Sequence, residues 1–298
     1  MSTQKPRIPA SIEASPKLVL DGKTPKGLFP KGTSVYVTDI GTHTTSDMIA
    51  ACRSLTDAGY SPVPHLPARR IMSEIDLTRR IAGYTQEGGA SDLLLIAGEA
   101  DRQMGPYSQT LDILEQGILD HYGIKQFGIA GHPEGNPNYP IGSIDQVLFD
   151  KATVAARTNA DARIVTQFGF DPQVFIRWAE RVRIAGLYLP IHLGVAGPAK
   201  FTTLVKYAAM CGVGNSIGFL RKRTSAVTAL ATGYNPNQMI EPIEEYWADN
   251  PGGPITHIHM FPFGGIAKAA EWLEIRGNWD IKISLYANDD APMLGAAE

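Results

Sequence analysis

The residues best equipped for chemistry stand where short β-rich runs give way to loops: Glu13, Thr38, Asp39, His65, Glu99, His132, Gln167 and His192. A carboxyl there can carry a proton to a substrate. A neutral imidazole can donate and accept, and an amide can orient a polar ring through paired hydrogen bonds. Each also has a plain structural reading. Thr38 and Asp39 can start a turn, Glu99 with Asp101 and Arg102 can be a solvated loop, and a single strand-end histidine can be a satisfied structural group. Their recurrence at equivalent ends of separate strands is what favours a site.

The segment Gly128 to Pro137, GIAGHPEGNP, is the most informative. Gly131, Pro133, Gly135 and Pro137 make it a stiff loop of close approach directly after a strand. His132, Glu134 and Asn136 fall two apart in it. Two readings stay open: a structural turn in which Glu134 binds backbone amides, or a loop pressed against a flat or phosphate-bearing ligand. No GxGxxG, Walker A or HExxH motif is present. Gly212-Val213-Gly214-Asn215 reads as a helix C-cap. Phe219 to Arg223 reads as a solvated helix face, with a patch for a phosphate or polyglutamate tail as the alternative. His257 and His259 alternate on one strand and so face one side, but no third ligand is grouped with them and no metal is expected.

The elements that must position these groups follow one pattern. Expected strands are Ser11–Ala14, Ser34–Asp39, Pro62–Leu66, Asp92–Ala97, Gln126–Ala130, Arg163–Phe168, Leu189–His192 and His257–Phe261. Expected helices between them are Thr44–Ala58, Ser73–Glu87 with Ser73 as N-cap, Thr110–His121, Asp145–Arg157, one capped by Asp171 that ends near Ala185, Pro198–Met210 and Ile266–Ile275. Strict β/α alternation implies a parallel sheet. Eight units predict an α/β fold, a single (β/α)8 TIM barrel over residues 1–298, with an open doubly wound sheet as the alternative. Such a barrel carries its active site at the C-terminal strand ends, where the polar residues lie.

Composition agrees. The chain has 298 residues, 44% apolar and 19% charged, with net charge −3 from 27 basic and 30 acidic residues. That excludes a disordered tail and gives no basic field for nucleic acid. No apolar run approaches the roughly 18 residues of a membrane span. Cys52 and Cys211 are too few for a disulfide framework and are expected reduced and buried. Met1 to Ala10 has no apolar core of a signal peptide, so the expected location is cytoplasmic. A barrel this apolar can pair into a homo-oligomer.

Several of these motifs together resemble the methylenetetrahydrofolate reductase family. GIAGHPEGNP is similar to the family's strand-five loop, Val165-Thr166-Gln167-Phe168-Gly169-Phe170-Asp171 to its T-Q-F-x-F-D motif, Ser11-Ile12-Glu13-Ala14-Ser15-Pro16-Lys17 to its opening strand, and Val63-Pro64-His65-Leu66 to its A-P-H-L piece. The resemblance implies a (βα)8 barrel that binds FAD and reduces 5,10-methylenetetrahydrofolate with NADH or NADPH. It implies that Glu13 is the general acid that opens the five-membered ring to an iminium, a role that needs a buried, protonated carboxyl. It places Gln167 on the pterin and Glu99 near both folate and flavin. Thr38, His65, Gly98, Ser108, His132 and Asn136 fall at flavin-site positions. The chain departs from the pattern at three places. Lys151-Ala152-Thr153-Val154 stands where a basic pair grips the FAD pyrophosphate, Ala97 replaces an arginine, and Gly264-Gly265 replaces an Asn-Arg pair at the folate tail. Alternatives are therefore direct hydride transfer from nicotinamide to the same folate, a folate-dependent one-carbon or methyl transferase, and a non-catalytic folate- or flavin-binding regulator.

Overall fold

Asp92–Ile96 shows how the strands form. Leu93 and Leu95 turn outward and are fully buried among helix side chains, while Leu94 turns inward onto Tyr36, Val63 and Val165. A strand covered on both faces reads as a continuous apolar run. In the computed structural model, which describes residues 7–98, 103–135, 143–210, 213, 218 and 233–279, eight such strands are all parallel and close in chain order. They are β1 (Ala10–Ala14), β2 (Ser34–Val37), β3 (Ser61–Pro67), β4 (Asp92–Ile96), β5 (Gln126–Gly131), β6 (Asp161–Gly169), β7 (Ile191–Ala196) and β8 (Ile255–Phe261). β8 pairs back onto β1, with His259 opposite Ser11. The predicted (β/α)8 barrel is therefore present.

The helices are set by caps and one-sided apolar stripes. They are α1 (Pro16–Leu20), α2 (Thr45–Asp57), α3 (Glu74–Ala82), α4 (Thr110–Leu114), α5 (Ile118–His121), α6 (Ser143–Arg157), α7 (Pro172–Ile184), α8 (Phe201–Met210), α9 (Asn237–Asp249) and α10 (Ile266–Arg276). Thr44 and Asp47 form a reciprocal capping box on α2. Asp171 caps α7 with Pro172 in its first turn, and Phe175, Ile176, Trp178, Ala179 and Val182 form the buried stripe. Cys52 on α2 is buried and unpaired, and burial pushes its thiol up to about 12; Cys211 lies outside the described residues.

Among the boundaries that differ from the sequence reading, four change the shape or place of an element. The helix expected over Ser73–Glu87 ends at Ala82 and continues as a π-helical turn, Gly83–Glu87, although Ser73 does cap it. The one expected over Thr110–His121 breaks at Gly117, whose φ of +69° suits glycine. β2 stops at Val37, which leaves Thr38 and Asp39 in the loop. The run Leu189–His192 is shifted: β7 starts at Ile191, just after Pro190, so His192 lies near the beginning of its strand rather than at its end.

β6 carries one irregularity that matters. Val165 pairs with His192 and Phe168 with Gly194, so three steps on β6 oppose two on β7. The Thr166 hydroxyl bridges this bulge, accepting from the Gly194 N–H at 2.8 Å and donating to the Gln167 carbonyl at 2.9 Å. A Cβ at Gly194 would lie 2.4 Å from that carbonyl, so only glycine leaves room for it. The bulge thus re-aims the residues around Gln167.

Candidate active site

Side-chain alternation puts Ser11 and Glu13 of β1 into the barrel lumen. Across the β8–β1 seam, His259 turns into the same space. Its Nδ1 lies 2.8 Å from Ser11 Oγ and its Nε2 3.2 Å from Glu13 Oε1. His259 is fully buried, and the Glu13 side chain is 12% exposed. His65 of β3 brings Nε2 to 3.6 Å from the same Oε1, just beyond hydrogen-bond reach. Burial lowers the His65 pKa, against the pull of Glu13, so its imidazole is neutral near pH 7. Glu13 is therefore a nearly enclosed carboxyl hydrogen-bonded to one imidazole and approached by a second.

Below this group lies a polar floor. The Tyr36 ring packs on His259 with centroids 4.3 Å apart. Arg163 of β6 donates from Nε and Nη2 to the Tyr36 hydroxyl at 2.9 and 2.6 Å, and pairs with Asp92 at 2.9 Å. Burial pushes the Tyr36 phenol up to about 12. Burial also raises Asp92, with Arg163 opposing it. His192 and His257 stack with centroids 4.1 Å apart. Burial, then His257, Arg163 and His259, hold His192 well below the ordinary histidine range. Placed low in the lumen by the β7 shift, His192 belongs to this floor and not to the mouth.

The mouth is built from strand ends and the loops after them. Gln167 reaches toward the β5 loop, with Nε2 3.5 Å from the Gly135 carbonyl. His132, just after β5, is held down to about 4 by burial and by the nearby Lys151. Phe168, Phe261 and Phe263 form an aromatic rim, in which Phe263 stacks on Tyr207 at 4.4 Å. Thr38 is half-buried beside the end of β1, its N–H donating to the Ala14 carbonyl.

The structure thus brings Glu13 and His65 together, with Gln167 on the same face of the barrel. Glu99 and Asn136 lie outside the described residues, as do Phe219–Arg223 and all of Gly212-Val213-Gly214-Asn215 except buried Val213. Gly98 and Ser108 meet at Arg69, which donates Nη1 to the Gly98 carbonyl and Nε to the Ser108 carbonyl. The Ser108 hydroxyl is held by Asp112 at 3.0 Å. His259, Tyr36, Arg163 and Asp92 were not singled out for this site from sequence. The only signals were the alternation of His257 with His259 and of Ser11 with Glu13. Among the described residues no group of three or more His, Cys, Asp or Glu could hold a metal ion, and no helix is long and apolar enough to cross a membrane.

The geometry can be set beside known proteins. A family profile described as methylenetetrahydrofolate reductase matches residues 16–217. A 5,10-methylenetetrahydrofolate reductase of Pectobacterium carotovorum is 26% identical over 156 residues, 52% of this chain and 50% of that one. The corresponding protein of Salmonella typhimurium is 28% identical over the same shares. Methylenetetrahydrofolate reductase 2 of Saccharomyces cerevisiae is 25% identical over 56% of this chain and 28% of its own length. The matched region therefore spans about half of the bacterial relatives and less of the yeast one. Among solved structures, an uncharacterized protein from Clostridium thermocellum, described as binding two copies of 5-methyl-5,6,7,8-tetrahydrofolic acid, superposes with a TM-score of 0.58 at 12% identity, covering 92% of this chain and 96% of that one. That likeness shows the shared barrel. The profile match over most of the chain shows more: the chain belongs to the methylenetetrahydrofolate reductase family.

Proposed function

We propose that the protein is a 5,10-methylenetetrahydrofolate reductase, interconverting 5,10-methylenetetrahydrofolate and 5-methyltetrahydrofolate with NADH or NADPH. The observation that carries this reading is Glu13, nearly buried beside His259 and His65 in the lumen of a barrel of this family. Glu13 delivers its proton to the leaving nitrogen of the five-membered ring. The C–N bond breaks, its electron pair takes the proton, and an iminium remains. Gln167 holds the pterin edge, and the aromatic rim excludes water while hydride is added to the iminium carbon. Purified protein that neither oxidises NAD(P)H with methylenetetrahydrofolate nor runs the reverse reaction, with FAD added, would end this reading.

Three of the described residues named for FAD already have contacts within the chain. His65 is turned into the lumen toward Glu13. Arg69 already occupies the Gly98 and Ser108 carbonyls, and Asp112 occupies the Ser108 hydroxyl. These commitments favour a second reading, in which nicotinamide passes hydride straight to the iminium. Turnover in flavin-free protein, with no flavin absorption in the visible spectrum, supports it; strict dependence on added FAD excludes it. A one-carbon transferase would bind the folate without oxidising NAD(P)H. A regulator would have no need of a carboxyl aimed into the lumen.

A further inference from the structure

The β2–β3 corner of the barrel mouth holds an arginine whose donors lack acceptors. Arg70 lies just after β3, and its side chain is 19% exposed. Its Nε is buried without a hydrogen-bond partner, and among the described residues the guanidinium donates no hydrogen bond. Asp39, in the loop after β2, stands 3.7 Å from Nη1, an ion pair beyond hydrogen-bond reach. Asp39 is already engaged: Oδ1 accepts the Gly41 N–H at 2.9 Å, and Oδ2 faces Arg80 at 3.4 Å. Asp76 of α3 is likewise taken, by Arg79 and Arg80. Gly41 makes room for the guanidinium. A Cβ there would lie 1.4 Å from Arg70 Nη1, and its φ of +77° suits glycine. Arg70 therefore rests against bare backbone with its donor fork unused. A planar fork of five donors matches an oxyanion, which accepts through two oxygens at once.

We infer that Arg70 and the Gly41 turn form an oxyanion subsite that takes a phosphoryl group of the nicotinamide dinucleotide. Placement singles out that ligand. The barrel closes in chain order, so the β2–β3 corner lies across from β6, β7 and β8. Gln167, the proposed pterin contact, is on β6, and Gly264-Gly265, at the folate-tail position of the resemblance, follows β8. Folate then occupies the far side of the mouth, and the hydride donor enters from this one. Arg69 adds positive charge at the corner while it holds the Gly98 and Ser108 carbonyls. The identity of the ligand rests on the proposed reduction, but the oxyanion subsite is a property of the free protein.

The test has a binding arm and a kinetic arm. Calorimetry on ligand-free protein uses inorganic pyrophosphate and, separately, p-aminobenzoylglutamate as the carboxylate probe. Pyrophosphate should bind the wild type, and Arg70→Met should weaken it by about 10- to 100-fold, the scale of a lost charge-assisted contact. Arg70→Lys, a point charge without the fork, should fall between the two and keeps the arm usable if the methionine variant does not fold. Gly41→Ala, whose methyl displaces the guanidinium and leaves its charge, should weaken pyrophosphate as well. Pyrophosphate that fails to bind the wild type, or binds Arg70→Met equally well, overturns the inference. So does a loss confined to p-aminobenzoylglutamate, which would hand the site to the folate tail. In steady-state assays Arg70→Met should raise the NAD(P)H KM by a similar factor, with kcat and folate KM little changed. A rise in folate KM alone contradicts the assignment. A wild-type protein inactive on folate would refute the reduction and leave calorimetry to decide the subsite.

Discussion

Arg163→Met removes the cation from the lumen floor while keeping a side chain of similar length. The structure sets the size of the effect. Arg163 and Asp92 are 11% and 14% exposed, and the guanidinium also makes two hydrogen bonds to the Tyr36 hydroxyl. Breaking one side of such a buried pair costs about 3–5 kcal/mol, because the remaining charge is left unpaired. For a chain of this length that is roughly a 6–20 °C drop in Tm. The loss should depend on pH in a definite sense. Burial already raises the Asp92 pKa above its ordinary value, and without Arg163 it rises further. A carboxyl with a raised folded pKa stabilises the fold when protonated, and that contribution is lost as pH rises through the folded pKa. The variant should therefore be worst near neutral pH and approach wild type on acidification. Asp92→Asn added to Arg163→Met should recover most of the loss. Denaturant unfolding of wild type, Arg163→Met, Asp92→Asn and the double variant across pH measures this directly. A neutral-pH loss under about 1 kcal/mol, below the cost expected of an orphaned buried charge, or one that grows on acidification, would refute the floor as a buried ion pair that supports Tyr36 beneath His259.

Gly194→Ala should cost about 1–3 kcal/mol, since its Cβ would press on the Gln167 carbonyl at 2.4 Å; folate KM should rise with it, and an unchanged KM would argue that the β6 bulge does not set Gln167. Lys151 is 8% exposed and lowered to about 8 by burial, with no ion-pair partner among the described residues. The penalty for burying its charged form is present below pH 8 and relieved as pH climbs toward the ordinary lysine value. Lys151→Met should therefore be more stable than wild type at pH 7, by up to about 3 kcal/mol, and the gap should close by about pH 10 in urea titrations.

Much of the barrel was legible because its strands are short apolar runs set off by glycine, proline and caps, as at Asp92–Ile96 and Asp171-Pro172. The misplaced boundaries have local causes. Pro190 cannot donate to a ladder, so β7 starts one residue after it, and His192 dropped from mouth to floor. Gly117 in a left-handed conformation splits a helix whose apolar spacing runs on without a break. Glu13 and Gln167 were singled out through motifs; the structure sets Glu13 in the lumen and Gln167 at its mouth. The partners of Glu13 were harder to read. His259 lies 246 residues away and meets it only because the last strand closes on the first. Alternation revealed which way His259 faces, but the barrel register decides what it meets. His65 carried a flavin expectation from its motif; its Nε2 also lies 3.6 Å from Glu13, a proximity that only the strand register reveals.

Folate reduction by this protein turns on Glu13 as the acid. The most direct measurement is NAD(P)H oxidation with 5,10-methylenetetrahydrofolate by wild type and Glu13→Gln, alongside folate binding by each. Turnover is expected in the wild type and a fall of about 10²–10⁴-fold in kcat in the variant, with folate still bound at nearly the wild-type affinity. Comparable turnover by the two proteins, or no reduction by either, would contradict it.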